Sequence, residues 1–318
     1  MNERRHSAAD GEVRTVPNFF IVGAMKCGTT AWVDYLGSRP DVSFGLEKEP
    51  RRFDEDLKRV RPLDAEQYAA LYAGCDERVV GDASVFNLFS DIAAQKIRAF
   101  NPGARILILL RDHLSFLRSY HNHLVYLGIE SEASVEVAYR LSADRRAGQG
   151  PYGPNMTEPR LLDYEAVMTF APQVRRYLDV FPEEQVRVAW LTDWSGSERL
   201  MYSDLLQFLG LQDDGKSDFA VVNAAPKRRF EFIDRLLVRV RRPASAIAGP
   251  LRRLRGGRKL QIYRRLRELN TVRGTKPAVS EAFAAEITAR YAADVAEVNE
   301  MIRSVRLPMT PTFRQAAS

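Results

Sequence analysis

The chain reads as an α/β fold with a central parallel sheet flanked by helices. Three observations carry that reading. Phe19-Phe20-Ile21-Val22 and Ile106-Leu107-Ile108-Leu109-Leu110 are continuous apolar runs of strand length, the pattern of strands buried on both faces. Between and after them, apolar residues recur at three- and four-residue intervals, as amphipathic helices require. The joints carry βαβ punctuation: Ser90-Asp91 opens one helical pattern and Asn101-Pro102-Gly103 stops it just before the Ile106 run.

In chain order, the Phe19 run is the first strand, and Trp32, Tyr35 and Leu36 mark the helix after it. Tyr68, Leu71 and Tyr72 mark a second helix, and Val79-Val80 a weaker strand. After the Ile106 strand, Leu114, Leu117 and Leu124 outline another helix. A Gly/Pro-rich stretch from Gly148 to Pro159 interrupts the alternation and is the candidate for a functional loop bordering a second substrate. Phe170, Val174, Tyr177 and Leu178 then mark a helix, and Val186-Arg187-Val188-Ala189-Trp190 a last strand. With 318 residues and 45% hydrophobic content a large core can form. The expected organisation is a disordered tail over 1–17, a single domain over 18–305 and a C-terminal tail over 306–318.

The net charge of +6 is unevenly spread: residues 227–268 hold 15 Lys or Arg against 3 acids. Such a block can hold phosphates, lie on an anionic membrane or remain a solvated helix face. Within it Phe230, Ile233, Leu236, Leu237 and Val240 recur at helical spacing, with Arg235, Arg239 and Arg242 on the other side, so a peripheral membrane helix and a helix packed on the sheet both fit. Nucleic acid is not the expected partner. Cys27 and Cys75 lack the spacing of a zinc site or a disulfide scaffold. No segment has the apolar length of a signal peptide core or a membrane span. The expected location is the cytoplasm, with the inner membrane face as the site of any peripheral contact. His121 and His123, two apart on a helix, point in different directions, and no metal ligand set is expected.

The first strand runs directly into Gly23-Ala24-Met25-Lys26-Cys27-Gly28-Thr29-Thr30, which opens a helix. Successive backbone N–H groups and a helix N-terminus form an anion site in that context. A Walker A loop would place its Lys directly after the second Gly; here Lys26 precedes Gly28 by two. The segment Phe19 to Thr30 resembles the 5′-phosphosulfate-binding loop of sulfotransferases that use 3′-phosphoadenosine-5′-phosphosulfate (PAPS), in particular the bacterial and heparan-sulfate branch. The resemblance implies a P-loop-like three-layer fold, Lys26 as the catalytic lysine, and Cys27, Gly28, Thr29 and Thr30 as donor-binding positions.

Three further segments extend the likeness. Arg111, at the end of the Ile106 strand, is followed eight positions later by Ser119; the family's interval implies that the two hold the 3′-phosphate, for which a forked guanidinium and a hydroxyl are suitable donors. Lys48-Glu49-Pro50-Arg51-Arg52-Phe53 is similar to the Lys-Glu-x-His-Phe-Phe segment whose Glu is a general base, which makes Glu49 the candidate base. Arg51 and Arg52 stand where the family has His and Phe, and with Lys48 they are expected to favour an anionic acceptor. Gly81-Asp82-Ala83-Ser84 resembles a Gly-Glu-x-Ser element lining the acceptor cleft, which carries over to Ser84. Pro226-Lys227-Arg228-Arg229 looks like a stretch supplying cations to the donor, assigned to Lys227 and Arg228. The implied reaction is sulfuryl transfer from PAPS, leaving PAP, to a hydroxyl or amine of a carbohydrate, lipid-linked or small-molecule acceptor, with no metal. The alternatives are a P-loop kinase using ATP and magnesium and a non-catalytic nucleotide- or membrane-binding protein. Against the kinase stands the displaced Lys26, with no Asp at a strand end suited to magnesium other than Asp112, beside Arg111.

Overall fold

The structure, a computed structural model, describes residues 16–58, 62–219 and 278–307, and the backbone of two short antiparallel ribbons, His6–Ser7 with Val13–Arg14 and Pro226–Arg228 with Thr271–Arg273. Five strands form the central sheet: β1 (Phe19–Gly23), β2 (Val42–Ser43), β3 (Val79–Asp82), β4 (Arg105–Leu110) and β5 (Val186–Trp190). Their order is β2-β3-β1-β4-β5, and every pairing is parallel. β1 is buried along its whole length and β4 at all but its first residue, which is why both read as unbroken apolar runs rather than alternating ones. β2 has two residues and a single neighbour, too little apolar sequence to stand out before folding.

Helices α1 (Thr29–Gly37), α2 (Ala65–Leu71), α3 (Ala93–Phe100) and α4 (His113–Leu127) follow the first four strands in turn. Asp64 and Gln67 close a reciprocal capping box on α2, and Asp112 caps α4 by accepting from Ser115 N at 2.8 Å. Ser90, expected to open α3, does so from just outside it: its Oγ accepts from Ile92 N and Ala93 N at 3.3 and 3.1 Å, and regular helix begins at Ala93. Beyond α4 come α5 (Val135–Arg140), α6 (Ser142–Arg146), α7 (Tyr164–Met168) and α8 (Phe170–Leu178). The Gly148–Pro159 stretch lies between α6 and a 3₁₀ turn at Pro159–Leu162. After β5, α9 (Leu191–Trp194) and α10 (Glu198–Leu209) complete that side, while α11 (Glu281–Arg290) and α12 (Ala292–Met301) return the chain to α4 and α8. Residues 305–307 rejoin β5, with Leu307 N donating to Val188 O at 2.7 Å.

The order places β1 between β3 and β4, whereas the chain leaves β1 for β2 at one edge of the sheet. Connections depart in opposite directions on the two sides of β1, and a crevice outside the strands' carboxyl ends is the binding position such a switch point creates. The loop from Gly23 to Gly28 lies at that end of β1, and Arg111 at that end of β4.

Candidate active site

The turn after β1 is held by backbone. Ala24 N donates to Leu109 O at 2.6 Å, Cys27 N to Ala24 O at 3.3 Å, and Leu88 N to Val22 O at 2.7 Å. Its two glycines are there for space as well as conformation. A Cβ on Gly23 would lie 2.4 Å from Val85 O, and one on Gly28 2.6 Å from Cζ2 of Trp194; their φ values are 138° and 88°, in the region that favours glycine. Gly28 precedes α1, and no side chain caps that helix. The first N–H groups of α1, beginning at Thr29 and Thr30, have no partner within the helix and face the anion position of the turn.

Among the described residues three non-glycine residues have φ in the left-handed region: Lys26 at 66°, Glu49 at 59° and Arg51 at 57°. L-residues are held there only where their surroundings impose it, and all three belong to the candidate site. Lys48 Nζ donates to Thr30 Oγ1 at 2.5 Å, which joins the Lys48–Arg52 segment to the start of α1. Arg111 Nη1 donates to Lys26 O at 3.4 Å. Its Nε is buried without a hydrogen bond, in a long ion-pair contact of 4.0 Å with Asp112 Oδ2.

These contacts bring positive charges together. Burial holds the Lys26 ammonium below the ordinary lysine range, the like charges of Lys48 and Arg111 push it further down, and Glu49 opposes them. Burial likewise lowers Lys48, again against Glu49. Burial drives the Cys27 thiol well above its usual range, so it remains protonated and contributes fit rather than a nucleophile. Glu49 Oε2 lies 3.4 Å from Arg51 Nη2, a half-buried pair at the rim.

The fold therefore gathers Lys26, Cys27, Gly28, Thr29, Thr30, Lys48, Glu49, Arg51 and Arg111. Ser119 is half-buried in the second turn of α4. Arg52 turns from Glu49 toward Glu55, 3.9 Å away. Ser84, expected on the acceptor cleft, is only 1% exposed, and its Oγ accepts from Arg51 N at 3.1 Å. The side chains of Lys227 and Arg228 lie outside the described residues, as does most of the basic region 227–268. His121 and His123 have separate surroundings: His121 Nε2 is 2.8 Å from Glu132 O, and His123 stacks on Tyr126.

Two residues at the site escaped the sequence reading. Trp194, packed edge-on against Trp32 with ring centroids 5.3 Å apart, walls the glycine end of the turn from more than 150 residues away. Asp82, inside a segment singled out for its Ser, is 1% exposed and accepts from Tyr68 Oη at 2.7 Å.

The chain resembles known proteins. A sulfotransferase of Alicyclobacillus acidocaldarius superposes on the chain with a TM-score of 0.65 and 27% identity, covering 94% of this chain and 98% of that one. Carbohydrate sulfotransferase 15 of Rattus norvegicus is 23% identical over 292 residues, 75% of this chain and 50% of the relative. The likeness is to sulfotransferases. The chain's α/β sheet is that of a sulfotransferase, and a further relative is the membrane-associated sulfotransferase kil1 of Dictyostelium discoideum, 26% identical over 134 residues, 41% of this chain and 28% of that protein. The chain spans about half the length of the carbohydrate sulfotransferases it matches. No protein-family model matches it.

Proposed function

We propose that this chain transfers a sulfuryl group from PAPS to a hydroxyl of a carbohydrate or related acceptor. The observation that carries the reading is the meeting of Lys26, Lys48 and Arg111 with Glu49 at the uncapped start of α1. Three cations beside unpaired helical N–H groups suit the anionic phosphosulfate. A single carboxylate at their rim suits proton removal from a neutral acceptor. The Nε of Arg111, buried without a hydrogen bond, suits a 3′-phosphate held jointly with Ser119. Lys227 and Arg228 are assigned to the same end of the donor from the resemblance alone.

In this reading the acceptor oxygen forms a bond to sulfur as the bond from sulfur to the bridging oxygen of PAPS breaks. Glu49 takes the acceptor proton, Lys26 neutralises the charge gathering on the bridging oxygen, and 3′,5′-ADP leaves. The protein forms no covalent bond; its contribution is positioning and preorganised charge. Lys48, tied to Thr30, holds the acceptor segment against the donor loop. Arg51 and Arg52 favour an acceptor that is already anionic. The carbohydrate class follows from the named activity of the relatives in Rattus, Mus and Homo sapiens. Both cysteines are free thiols, in keeping with a reducing, cytoplasmic setting.

Incubation of the purified chain with PAPS and a panel of neutral and anionic saccharides tests the proposal. The expected result is a mass gain of one sulfuryl group on the acceptor with release of PAP, and stabilisation by PAP rather than by ATP and magnesium. Stabilisation by ATP–magnesium alone would overturn it.

A further inference from the structure

The carboxylate of Asp82 has no part in the transfer as derived above, yet it is buried at the carboxyl end of β3, next to the candidate site. Tyr68 Oη donates to its Oδ2 at 2.7 Å. Ser84, two residues on, sits beside the same carboxylate, its hydroxyl and its backbone N–H both favouring the ionised form, while Oδ1 keeps no well-formed hydrogen bond. The charged or titratable groups facing Asp82 are Tyr68 of α2, Tyr72 just after it, Asp54 of the preceding loop and Tyr177 of α8. Among the described residues no cation is one of the strongest influences on it. A buried carboxylate without a cation beside it is costly to ionise and depends on hydrogen bonds to hold its charge.

Ser84 links that carboxylate to the site. Its hydroxyl proton can be directed to Asp82 while its lone pair accepts the Arg51 N–H, 3.1 Å away. Arg51 and Glu49 both occupy the left-handed region, at φ 57° and 59°, and their side chains meet at 3.4 Å. With Ser84 only 1% exposed, water has little access to replace its hydroxyl, so losing this bond would leave the Arg51 turn without that anchor.

We propose that Asp82 is a positioning residue for the candidate base: acting through Ser84, it fixes the backbone turn at Arg51 and thereby aims Glu49. The assignment of Glu49 as base rests on the function proposed above; the clamp itself does not. Burial raises the Asp82 carboxyl to about 6, so the clamp has its full acceptor strength only above that pH. Protonation there weakens the acceptor that orients the Ser84 hydroxyl and loosens the turn.

The test uses the full chain with Asp82→Asn, Ser84→Ala and the double variant, and reads two independent quantities. The first is amide hydrogen exchange over residues 46–53, together with tryptic cleavage after Arg51 and Arg52 in the native protein. Both are expected to rise about tenfold in each variant, with the double variant no worse than either single one, as for members of one linkage. The second is kinetics: kcat falls about tenfold while KM for PAPS stays within about twofold, and an acid limb near pH 6 in the wild type is absent from Asp82→Asn. If Asp82→Asn fails to fold, Ser84→Ala decides by the same two readouts. Wild-type exchange at Arg51 in the folded variants overturns the clamp whatever the activity. Faster exchange with unchanged kcat, in a protein that Glu49→Gln inactivates, overturns the link to Glu49. Should Glu49→Gln keep full turnover, the assignment of the base fails instead, and exchange alone still decides whether Asp82 holds the turn.

Discussion

Lys48 Nζ donates to Thr30 Oγ1 at 2.5 Å, which locks the segment carrying the candidate base onto the helix that opens the candidate donor site. That bond ties together the segments assigned to the two halves of the proposed reaction. It also brings a second ammonium close enough to lower the pKa of Lys26.

Removing that ammonium changes how Lys26 titrates. Lys26 is lowered first by burial, then by Lys48 and Arg111, so in the free protein its neutral form appears at lower pH than for an ordinary lysine. Activity that needs the charged form is lost as pH rises through this lowered value. In Lys48→Met one repulsive charge is gone, and the alkaline limb of kcat/KM for PAPS is expected to move to higher pH. A limb that stays in place or moves down contradicts the placement of Lys48.

The two proposed catalytic residues are separable by ligand binding. Lys26→Ala and Glu49→Gln are each expected to lower kcat by about 10²–10⁴. Glu49→Gln should retain PAP affinity in calorimetry, because the proposed mechanism gives Glu49 a role toward the acceptor alone. Near-normal turnover in Glu49→Gln would place the base elsewhere.

Gly23 and Gly28 are expected to differ in how they can be rescued. Alanine at either adopts a strained φ and meets an atom under 3 Å away, at a cost of about 2–4 kcal/mol. The obstacle at Gly28 is the end of the Trp194 side chain, whereas at Gly23 it is the Val85 carbonyl. Trp194→Leu should therefore recover part of the thermal stability lost in Gly28→Ala. No side-chain change at position 85 should do so for Gly23→Ala.

Arg145 and Glu130 form a fully buried ion pair with Nη1 and Oε2 2.8 Å apart. Tyr164 Oη donates to Glu130 at 2.8 Å, and Arg145 also donates to Pro151 O at 3.4 Å, so the pair anchors the Gly148–Pro159 stretch. Glu130→Gln leaves a buried guanidinium without its counter-charge and is expected to cost about 3–5 kcal/mol in denaturant titrations.

Asp82 gives the stability a pH dependence of defined sign. Its folded pKa, about 6, exceeds the unfolded value, so the native state binds the proton more tightly. The resulting stability is fully present below the unfolded pKa and is lost as pH rises through about 6. A shift of roughly two units corresponds to about 3 kcal/mol. The wild type should therefore lose up to that amount relative to Asp82→Asn between about pH 4 and 7. A stability difference independent of pH would show that Asp82 is not buried as described.

Much of the fold was legible because its determinants are local. Phe19–Val22 and Ile106–Leu110 read as buried strands from their own side chains, and the weaker Val186–Trp190 pattern matches β5 residue for residue. β2 was not legible, since Val42–Ser43 is a strand only by virtue of pairing with β3. Within the site, Lys26 and Gly28 announced themselves through the turn that contains them. Trp194 did not, because a lone aromatic after a strand gives no sign of which glycine it will cover.

By itself, the sequence determined the class of fold, the glycine-bounded turn after the first strand and the cation within it. Each depends on residues a few positions apart, and short-range sterics and periodicity dictate their arrangement. Tertiary structure alone decided which distant groups meet there. The strand order β2-β3-β1-β4-β5 brings Lys48 to Thr30, Arg111 to Lys26 and Ser84 to Arg51. Those pairings arise from burying both faces of the sheet at once, a condition on the whole chain that no local stretch records.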